Sequence, residues 1–276
     1  MTQTLMQGKR GLIMGVANDH SIAWGIASVL HKAGAELAFT YQGETLEKRV
    51  KPLAQSIGAD FLVPCDVTDE SSLDSCFQQL KERWGTLDFI VHAIAFSDRN
   101  ELKGRYIDTT RQNFLKTMEI SCYSFTDVCR RAAELMPNGG SCLTMTYLGA
   151  DQYVPNYNVM GVAKAALQAS VRYLAYDLGG QNIRVNAISA GPIRTLAAAG
   201  IGDFRLMLEW NKNNSALGTN VSANDIGKTA LYLLSDLSTG VTAETLYVDS
   251  GYHQGAMMNL AHVRENATLL QEINHD

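Results

Sequence analysis

Short apolar runs rich in β-branched residues recur along the chain. Runs of this kind are typical of strands that are buried on both faces of a sheet. They lie at residues 11–14, 37–41, 61–65, 89–95, 142–145, 185–188 and 246–248. The pattern therefore predicts a series of short strands spread over most of the chain.

The segments between these runs carry apolar residues at spacings of three and four, which is typical of helices with one buried face. Two examples are Ile22, Ile26, Val29 and Leu30, and Val162, Ala166, Ala169 and Tyr173. The second belongs to a long helix predicted at residues 157–178. Strands that alternate with helices connect through right-handed crossovers. We therefore expect an α/β fold, a doubly wound parallel sheet with helices on both faces.

The organisation of the chain favours a single domain. Its 276 residues contain only five prolines, and no repeat, low-complexity tract or linker interrupts them. Single doubly wound domains reach this length, and a content of 46% hydrophobic residues allows a large core. We predict one domain over residues 1–276. The end of the chain is polar, and we expect its last ten or so residues to fray.

Charge and cysteine content exclude several classes of function. Lys+Arg 23 against Asp+Glu 28 gives a net charge of -5, which argues against binding to nucleic acid or to an anionic membrane. The five scattered cysteines contain no Cys-x-x-Cys pair, which favours reduced thiols over disulfides or zinc. No apolar run is long enough to span a bilayer, and no targeting segment is evident. We expect a cytoplasmic protein.

The segment between the first strand and the first helix contains several small residues. A dinucleotide pyrophosphate needs a turn free of side chains, followed by a helix N-terminus. Gly15, Ala17, Ser21 and Gly25 could supply both, although Ala17 stands where the Gly-x-Gly-x-x-Gly pattern has its second glycine. The alternatives are a phosphate-binding turn and an ordinary turn.

The ends of the second and third predicted strands carry candidates for the adenosine half of a cofactor. Neither an acidic residue nor an arginine stands at the tip of the second strand, but Gln42 could bond a ribose. This favours NADH and leaves NADPH open. Asp66 and Val67 follow the third strand, where Asp66 could accept a hydrogen bond from adenine or could cap the next helix.

Tyr157 and Lys164 are seven residues apart in the predicted long helix, so they share a face about 10.5 Å apart along its axis. Lysine could reach the ribose of a nicotinamide while the phenol approaches a reacting carbonyl. The ammonium is then expected to lower the pKa of the phenol. The alternative is a packed tyrosine with a lysine that extends into solvent. His20 and His92 have no second ligand at a metal spacing, so we expect both to be structural or solvated, and we predict no metal site.

Together, these motifs resemble those of one known family over residues 8–251. The matching segments are Gly15, Ser21-Ile22-Ala23, Tyr41-Gln42, Asp66-Val67, Tyr147, Pro155 to Lys164 and Arg184 to Thr195. They resemble the NADH-type enoyl-acyl carrier protein reductases of bacterial fatty-acid synthesis. This is a divergent branch of the short-chain dehydrogenases/reductases, which have a Rossmann-type sheet. The most specific element is Tyr-x6-Lys, because ordinary members have Tyr-x3-Lys and Met160 stands at that position here.

The resemblance implies hydride transfer from NADH to the β-carbon of a trans-2-enoyl thioester on acyl carrier protein. It implies catalytic roles for Tyr147, Tyr157 and Lys164, with Tyr157 as the donor to the enolate oxygen and Lys164 as the ribose ligand. Implied cofactor contacts are Gly15, Ser21, Ile22, Gln42, Asp66, Val67, Ile94, Lys164, Gly191, Pro192, Ile193 and Thr195. Implied substrate contacts are Ala95, Phe96, Tyr147, Tyr157, Met160, Ile201 and Phe204.

The resemblance also implies a mobile lid around residues 195–212 and a homotetramer. Among lid residues 201–207 only Arg205 is basic, so the alternatives are weak docking of the acidic carrier protein and docking through Arg194 and Lys212 instead. Two other functions remain open: a short-chain carbonyl or alcohol oxidoreductase, and a catalytically silent dinucleotide-binding paralogue. Ala95, which stands where the family usually has glycine, makes the second conceivable.

Overall fold

The computed structural model describes residues 4–196, 198, 202–257 and 259–261. Within them a 7-stranded sheet has the order β3-β2-β1-β4-β5-β6-β7, and every neighbouring pair is parallel. The strands are β1 Arg10–Met14, β2 Glu36–Tyr41, β3 Phe61–Pro64, β4 Phe89–His92, β5 Gly140–Thr146, β6 Ile183–Ala190 and β7 Thr245–Val248. The predicted doubly wound parallel sheet is confirmed.

Helices cover both faces of the sheet. They are α1 Ile22–Lys32, α2 Gly43–Ser56, α3 Glu70–Trp84, α4 Arg111–Met118, α5 Ser124–Glu134, α6 Asn158–Gly179, α7 Phe204–Asn214 and α8 Ala223–Leu234. One core layer joins Leu12 and Met14 to α3, α5 and α6, and the other joins Ile13 to α1, α2 and α8. Because adjacent strand residues point to opposite faces, one strand supplies both layers.

Two details of the strand prediction are wrong. The fourth run was expected to continue to residue 95, but β4 ends at His92, and the chain then leaves the sheet to border a cleft. β3 and β7 are not buried on both faces, because each is an edge strand with partly exposed residues. Residues 262–276, with the predicted frayed end, lie outside the described part.

All five cysteines are free and buried. Among the described residues, no helix combines the length and the apolar character needed to cross a membrane.

Gly25 lies where α1 packs against α8. A Cβ atom at Gly25 would lie 2.6 Å from the Ala223 carbonyl oxygen, and one at Gly227 would lie 2.7 Å from the Gly25 carbonyl oxygen. The two glycines therefore allow α1 and α8 to touch through their backbones. Gly25 lies inside α1 and not in the turn before it, and its lack of a side chain serves this helix contact. A phosphate-binding role for Gly25 stays a prediction.

We expect Gly25→Ala to lower the free energy of unfolding by about 1–3 kcal/mol, because two backbones must separate to admit the methyl group. Urea unfolding followed by circular dichroism measures the change. Gly179→Ala is the matched control, since a Cβ there meets nothing within 4 Å. Equal stabilities for the two variants would contradict the close contact.

Candidate active site

A cleft of about 880 Å³ opens at the carboxyl ends of the central strands. Ligands of open α/β sheets bind at this edge. Its walls come from the turn after β1, the loop after β4, the end of β5, the start of α6, the segment after β6 and the start of α7. Residues far apart in sequence therefore meet in one place.

Most of the predicted site residues line this cleft. They are Gly15, Ser21, Ile22, Ile94, Ala95, Phe96, Tyr147, Tyr157, Met160, Lys164, Gly191, Pro192, Ile193, Thr195 and Phe204. Gln42, Asp66 and Val67 do not line it, although they follow strands that end at the same edge. Ile201 lies outside the described residues.

The sequence analysis missed several lining residues. They include Leu46, Ala93, Ser97, Asp98, Arg99, Asn100, Leu102, Met145, Thr146 and Ala190. The segment from Ser97 to Leu102 carries no motif. Its one available signal was its position directly after a strand at the ligand-binding edge of the sheet.

The turn after β1 is built around Gly15 and Ser21. Gly15 has a φ of 99°, and a Cβ atom there would lie 2.1 Å from the Ala93 carbonyl oxygen, so only glycine fits. Ser21 Oγ accepts hydrogen bonds from the amides of Ala17 at 3.0 Å and Asn18 at 3.1 Å. The turn thus uses its own amides to hold its shape. The first amides of α1 remain the donors that a phosphate could use.

The candidate adenosine residues form a network of their own. Gln42 Nε2 donates to Asp66 Oδ2 at 2.7 Å, while Asp66 Oδ1 accepts from the Thr68 amide at 2.9 Å. Burial tends to raise the pKa of Asp66, but hydrogen bonds from Thr68 and Gln42 outweigh it and lower the pKa. Asp69, whose side chain accepts from two backbone amides, caps α3. The alternative in which Asp66 caps this helix is therefore wrong.

Tyr157 immediately precedes α6, where it is the N-cap residue, so the predicted helix begins one residue later. Its ring packs edge-on against Tyr147, with ring centroids 5.1 Å apart at 69°. A Cβ atom at Gly149 would lie 2.4 Å from Tyr157 Cδ1, and one at Gly161 would lie 2.6 Å from the Gly149 carbonyl oxygen. These two glycines make room for the phenol ring.

Both phenols are held in the protonated form at neutral pH. Burial, and then the nearby Tyr147, raise the pKa of Tyr157 well above its ordinary value. Burial, followed by the electrostatic effects of the neighbouring Tyr252 and Asp249, raises the pKa of Tyr147 to about 12. The expected lowering of the phenol pKa by Lys164 is wrong, because desolvation of the ring dominates. Each phenol can act as a hydrogen-bond donor.

Lys164 is turned inward, which rules out a side chain that extends into solvent. It is only 6% exposed, and its Nζ donates to the Met145 carbonyl oxygen at 2.8 Å. An ammonium has three donors, so two remain for a ligand in the cleft. Burial lowers the pKa of Lys164 to about 8. Burial therefore disfavours the charged form of Lys164, and a ligand that accepts hydrogen bonds from the ammonium would stabilise it.

His92 has a structural role, as expected. It is fully buried, with Nε2 2.9 Å from Ser124 Oγ and Nδ1 3.4 Å from Thr144 Oγ1. Burial, and then the positive charge of Lys164, lower the pKa of His92 to about 3. It stays neutral and helps to pack the base of the site. His20 is largely exposed beside Asp19.

A π-helical segment, Glu119–Tyr123, joins α4 to α5 and shapes the loop after β4. Within it, Ser121 Oγ accepts from the Phe96 amide at 3.0 Å and donates to the Phe96 carbonyl oxygen at 3.1 Å. Such single-turn insertions often occur at functional sites. Helical periodicity does not reveal them, so the sequence analysis missed Ser121.

The predicted lid at 195–212 coincides in part with α7, which continues to Asn214. Phe204 and Met207 from its first turn line the cleft. Further along the helix, Trp210 Nε1 donates to the Tyr252 hydroxyl at 3.0 Å. Within the predicted lid the structure describes residues 195–196, 198 and 202–212.

Comparison with known proteins gives a consistent result. The family model described as "Enoyl-(Acyl carrier protein) reductase" matches residues 15–253. The chain is 66% identical over 260 residues to an "Enoyl-[acyl-carrier-protein] reductase [NADH] 2" of Rhizobium meliloti, covering 94% of this chain and 97% of that one. It is 56% identical over 253 residues to "Enoyl-[acyl-carrier-protein] reductase [NADH] FabI" of Rickettsia typhi, covering 92% and 97%.

Solved structures agree with these matches. An enoyl-acyl carrier protein reductase of Anaplasma phagocytophilum in complex with NAD superposes with a TM-score of 0.90 at 61% identity, covering 93% of this chain and 98% of that one. The Bacillus cereus enoyl-acyl carrier protein reductase with NADP+ and indole naphthyridinone gives 0.91 at 51% identity, covering 92% and 100%.

Proposed function

This chain belongs to the enoyl-acyl carrier protein reductase family, and on that premise we propose that it reduces trans-2-enoyl-acyl carrier protein to acyl-acyl carrier protein with NADH. The reaction is a step of bacterial fatty-acid elongation. The observation that carries the proposal is the convergence of Tyr157, Lys164 and the Gly15 turn on one cleft. Dinucleotide binding and catalysis then share a single domain.

The cleft suits a dinucleotide cofactor. At Gly15 the backbone lies against Ala93 with no space for a side chain, which leaves the start of α1 open to a diphosphate. The nicotinamide half would be held by the cleft residues Ile94, Lys164, Gly191, Pro192, Ile193 and Thr195. The adenosine half would be held by Gln42, Asp66 and Val67, which follow strands that end at the same edge. Reduced nicotinamide, when bound, supplies a hydride to the substrate.

Preference for NADH over NADPH follows from the charge near Gln42. Gln42 is bonded to the Asp66 carboxylate, and the lowered pKa of Asp66 keeps that carboxylate ionised. An additional phosphate on the ribose would be repelled by this charge. No arginine stands at the tip of β2 to compensate for it.

Tyr157 serves as the hydrogen-bond donor to the thioester oxygen, where negative charge develops as the double bond is reduced. A donor must carry its proton at working pH, and the raised pKa of Tyr157 ensures this. Tyr147 packs against Tyr157 and keeps the phenol from rotating away. Apolar walls from Ala95, Phe96, Met160 and Phe204 accept the acyl chain.

The test is to mix the purified chain with NADH and a crotonyl thioester and to follow nicotinamide absorbance. We expect consumption with the enoyl thioester and none with an acetoacetyl thioester. Consumption only with the ketoacyl compound would indicate a carbonyl reductase. Binding of NADH without turnover of either substrate would indicate a catalytically silent paralogue.

The affinity for NADH should depend on pH through Lys164. Because the pKa of Lys164 is about 8 in the unliganded protein, the ammonium is present below this pH and lost above it. We expect the Kd for NADH to rise by about 10-fold from pH 7 to pH 9.5, since bonds from a charged donor are the stronger ones. Fluorescence titration of NADH measures it. In Lys164→Met the same titration should be nearly flat, and an equal slope in both proteins would contradict the assignment.

We also propose a cytoplasmic homotetramer that receives its substrate from acyl carrier protein. Exposed apolar side chains on α6 support assembly, because Tyr173 and Tyr176 are 76% and 87% exposed. Light scattering after gel filtration gives the mass of the assembly. Arg194, Arg205 and Lys212 are exposed, the first two next to residues that line the cleft, and they would meet the acidic carrier.

A further inference from the structure

Two asparagines flank Tyr157, and both have left-handed backbone conformations. Asn156 has a φ of 60° and Asn158 a φ of 36°, while Tyr157 between them has a φ of -113°. Asparagine tolerates this region better than most residues with a side chain. The backbone thus reverses its φ sign on each side of Tyr157, which fixes the direction in which the phenol leaves the chain.

The amide of Asn156 reaches the start of the lid. Its Nδ2 donates to the Gly202 carbonyl oxygen at 3.2 Å and lies 3.4 Å from Asp203 Oδ2. A Cβ atom at Gly202 would lie 3.1 Å from Asn156 Nδ2 and 3.4 Å from Lys103 Cε. Gly202 therefore approaches Asn156 and the loop after β4 closely.

The amide of Asn158 reaches the other border of the cleft. Its Nδ2 donates to the Glu101 carbonyl oxygen at 3.1 Å, with the carbonyl oxygens of Lys103 and Gly104 at 3.4 Å. This holds Leu102, which is buried in a small cluster with Tyr157 and Met160. The bond therefore keeps Leu102 against the ring of Tyr157.

We propose that Asn156 and Asn158 are positioning residues, whose amides tie the two loops that border the cleft to the backbone on either side of Tyr157. These bonds hold the start of the lid and the 101–104 loop at a constant distance from the Tyr157 hydroxyl. The thioester therefore enters a cleft in which the walls and the hydrogen-bond donor are already in position. The proposal rests on the proposed function, since alignment matters only if Tyr157 meets a substrate.

Asn156→Gly and Asn158→Gly test this directly, because glycine keeps the left-handed backbone and removes only the amide. We expect each to lower kcat/KM for crotonyl thioester by about 10-fold or more, since small misplacement of reacting groups is costly. The KM for NADH should change by less than about 2-fold, because the amides bond to residues 202–203 and 101–104 and not to the residues assigned to the cofactor. Asn156→Asp and Asn158→Asp, which tolerate the same backbone but carry no donor, should show the same losses.

Asn182→Gly is the matched control. Asn182 also has a left-handed φ, of 58°, but it lies between α6 and β6 at the opposite edge of the sheet. Its replacement should leave all kinetic constants unchanged. The comparison separates loss of the amide hydrogen bonds, which we call the tethers, from a general effect of adding glycine.

Hydrogen exchange provides a readout independent of activity. Asn156→Gly should speed exchange of amides at residues 202–207, and Asn158→Gly should speed exchange at 101–104, with no change in Asn182→Gly. Kinetics and exchange that match the control in both variants would overturn the proposal. A wild-type chain that does not reduce the enoyl thioester would overturn the proposed function, while the exchange result would still decide whether the tethers exist.

Discussion

Replacing Lys164 by alanine should raise the Kd for NADH by about 100-fold, the largest binding effect we expect from any single side chain in the cleft. Lys164 offers charged donors at a buried position, and a hydrogen bond from a charged group contributes about 1.5–3 kcal/mol. The side chain is already aimed inward by its bond to the Met145 carbonyl oxygen, so little ordering remains to be done on binding. Fluorescence titration at pH 7 measures the change.

Two controls isolate the charge of Lys164. Lys164→Met keeps most of the buried volume and should lose nearly as much affinity as Lys164→Ala. Lys228→Ala removes an exposed lysine of α8 that pairs with Asp225 at 3.2 Å, and it should leave the Kd unchanged. If Lys164→Met bound NADH within about 3-fold of the wild type, the role of the ammonium would be refuted.

The strand and helix prediction succeeded because both periodicities are strong. Apolar runs such as residues 185–188 can be recognised as strands from the local pattern alone. Their alternation with helices then predicts that the strands are parallel. The prediction was wrong where one local pattern is compatible with two different structures. Residues 93–95 are as apolar as a strand, yet they leave the sheet after His92 and border the cleft.

Gly25 and Asp66 show a second limit. A glycine at the start of a helix can spare space for a ligand or for another helix, and only the position of α8 decides between them. Asp66 and Asp69 are both suitable caps, and the helix start at Glu70 selects Asp69. For Gly25 the deciding contact comes from α8, which is distant in sequence, whereas for Asp69 it comes from the nearby amides of Ser71 and Ser72.

In the candidate site, too, local relations could be predicted from the sequence and contacts between distant segments could not. Tyr157 and Lys164 could be paired from sequence because they belong to one helical segment, and helix geometry is regular. Ser121 could not, because a π-helical insertion changes its direction and brings it to Phe96. The pKa of Tyr157 was predicted in the wrong direction because the burial of its ring depends on Gly149, Gly161 and Leu102, which come from three separate segments.

Tyr157→Phe should lower kcat with crotonyl thioester by about 100- to 1000-fold, the largest loss of turnover expected from removing one oxygen atom. The phenyl ring keeps its contacts with Tyr147, so the fold and the Kd for NADH should be preserved. Stopped-flow measurement of a single turnover, with NADH bound before the substrate is added, separates this loss from any effect on binding.

Tyr147→Phe is the matched control, because the two rings are neighbours and both phenols are protonated at neutral pH. If Tyr157 is the donor, Tyr147→Phe should cost less than about 10-fold in kcat. The opposite order of effects would transfer the donor role to Tyr147. Between pH 6 and pH 9 the wild-type single-turnover rate should show no fall from loss of a phenol proton, since burial raises the pKa of Tyr157 above its ordinary value of 10.0.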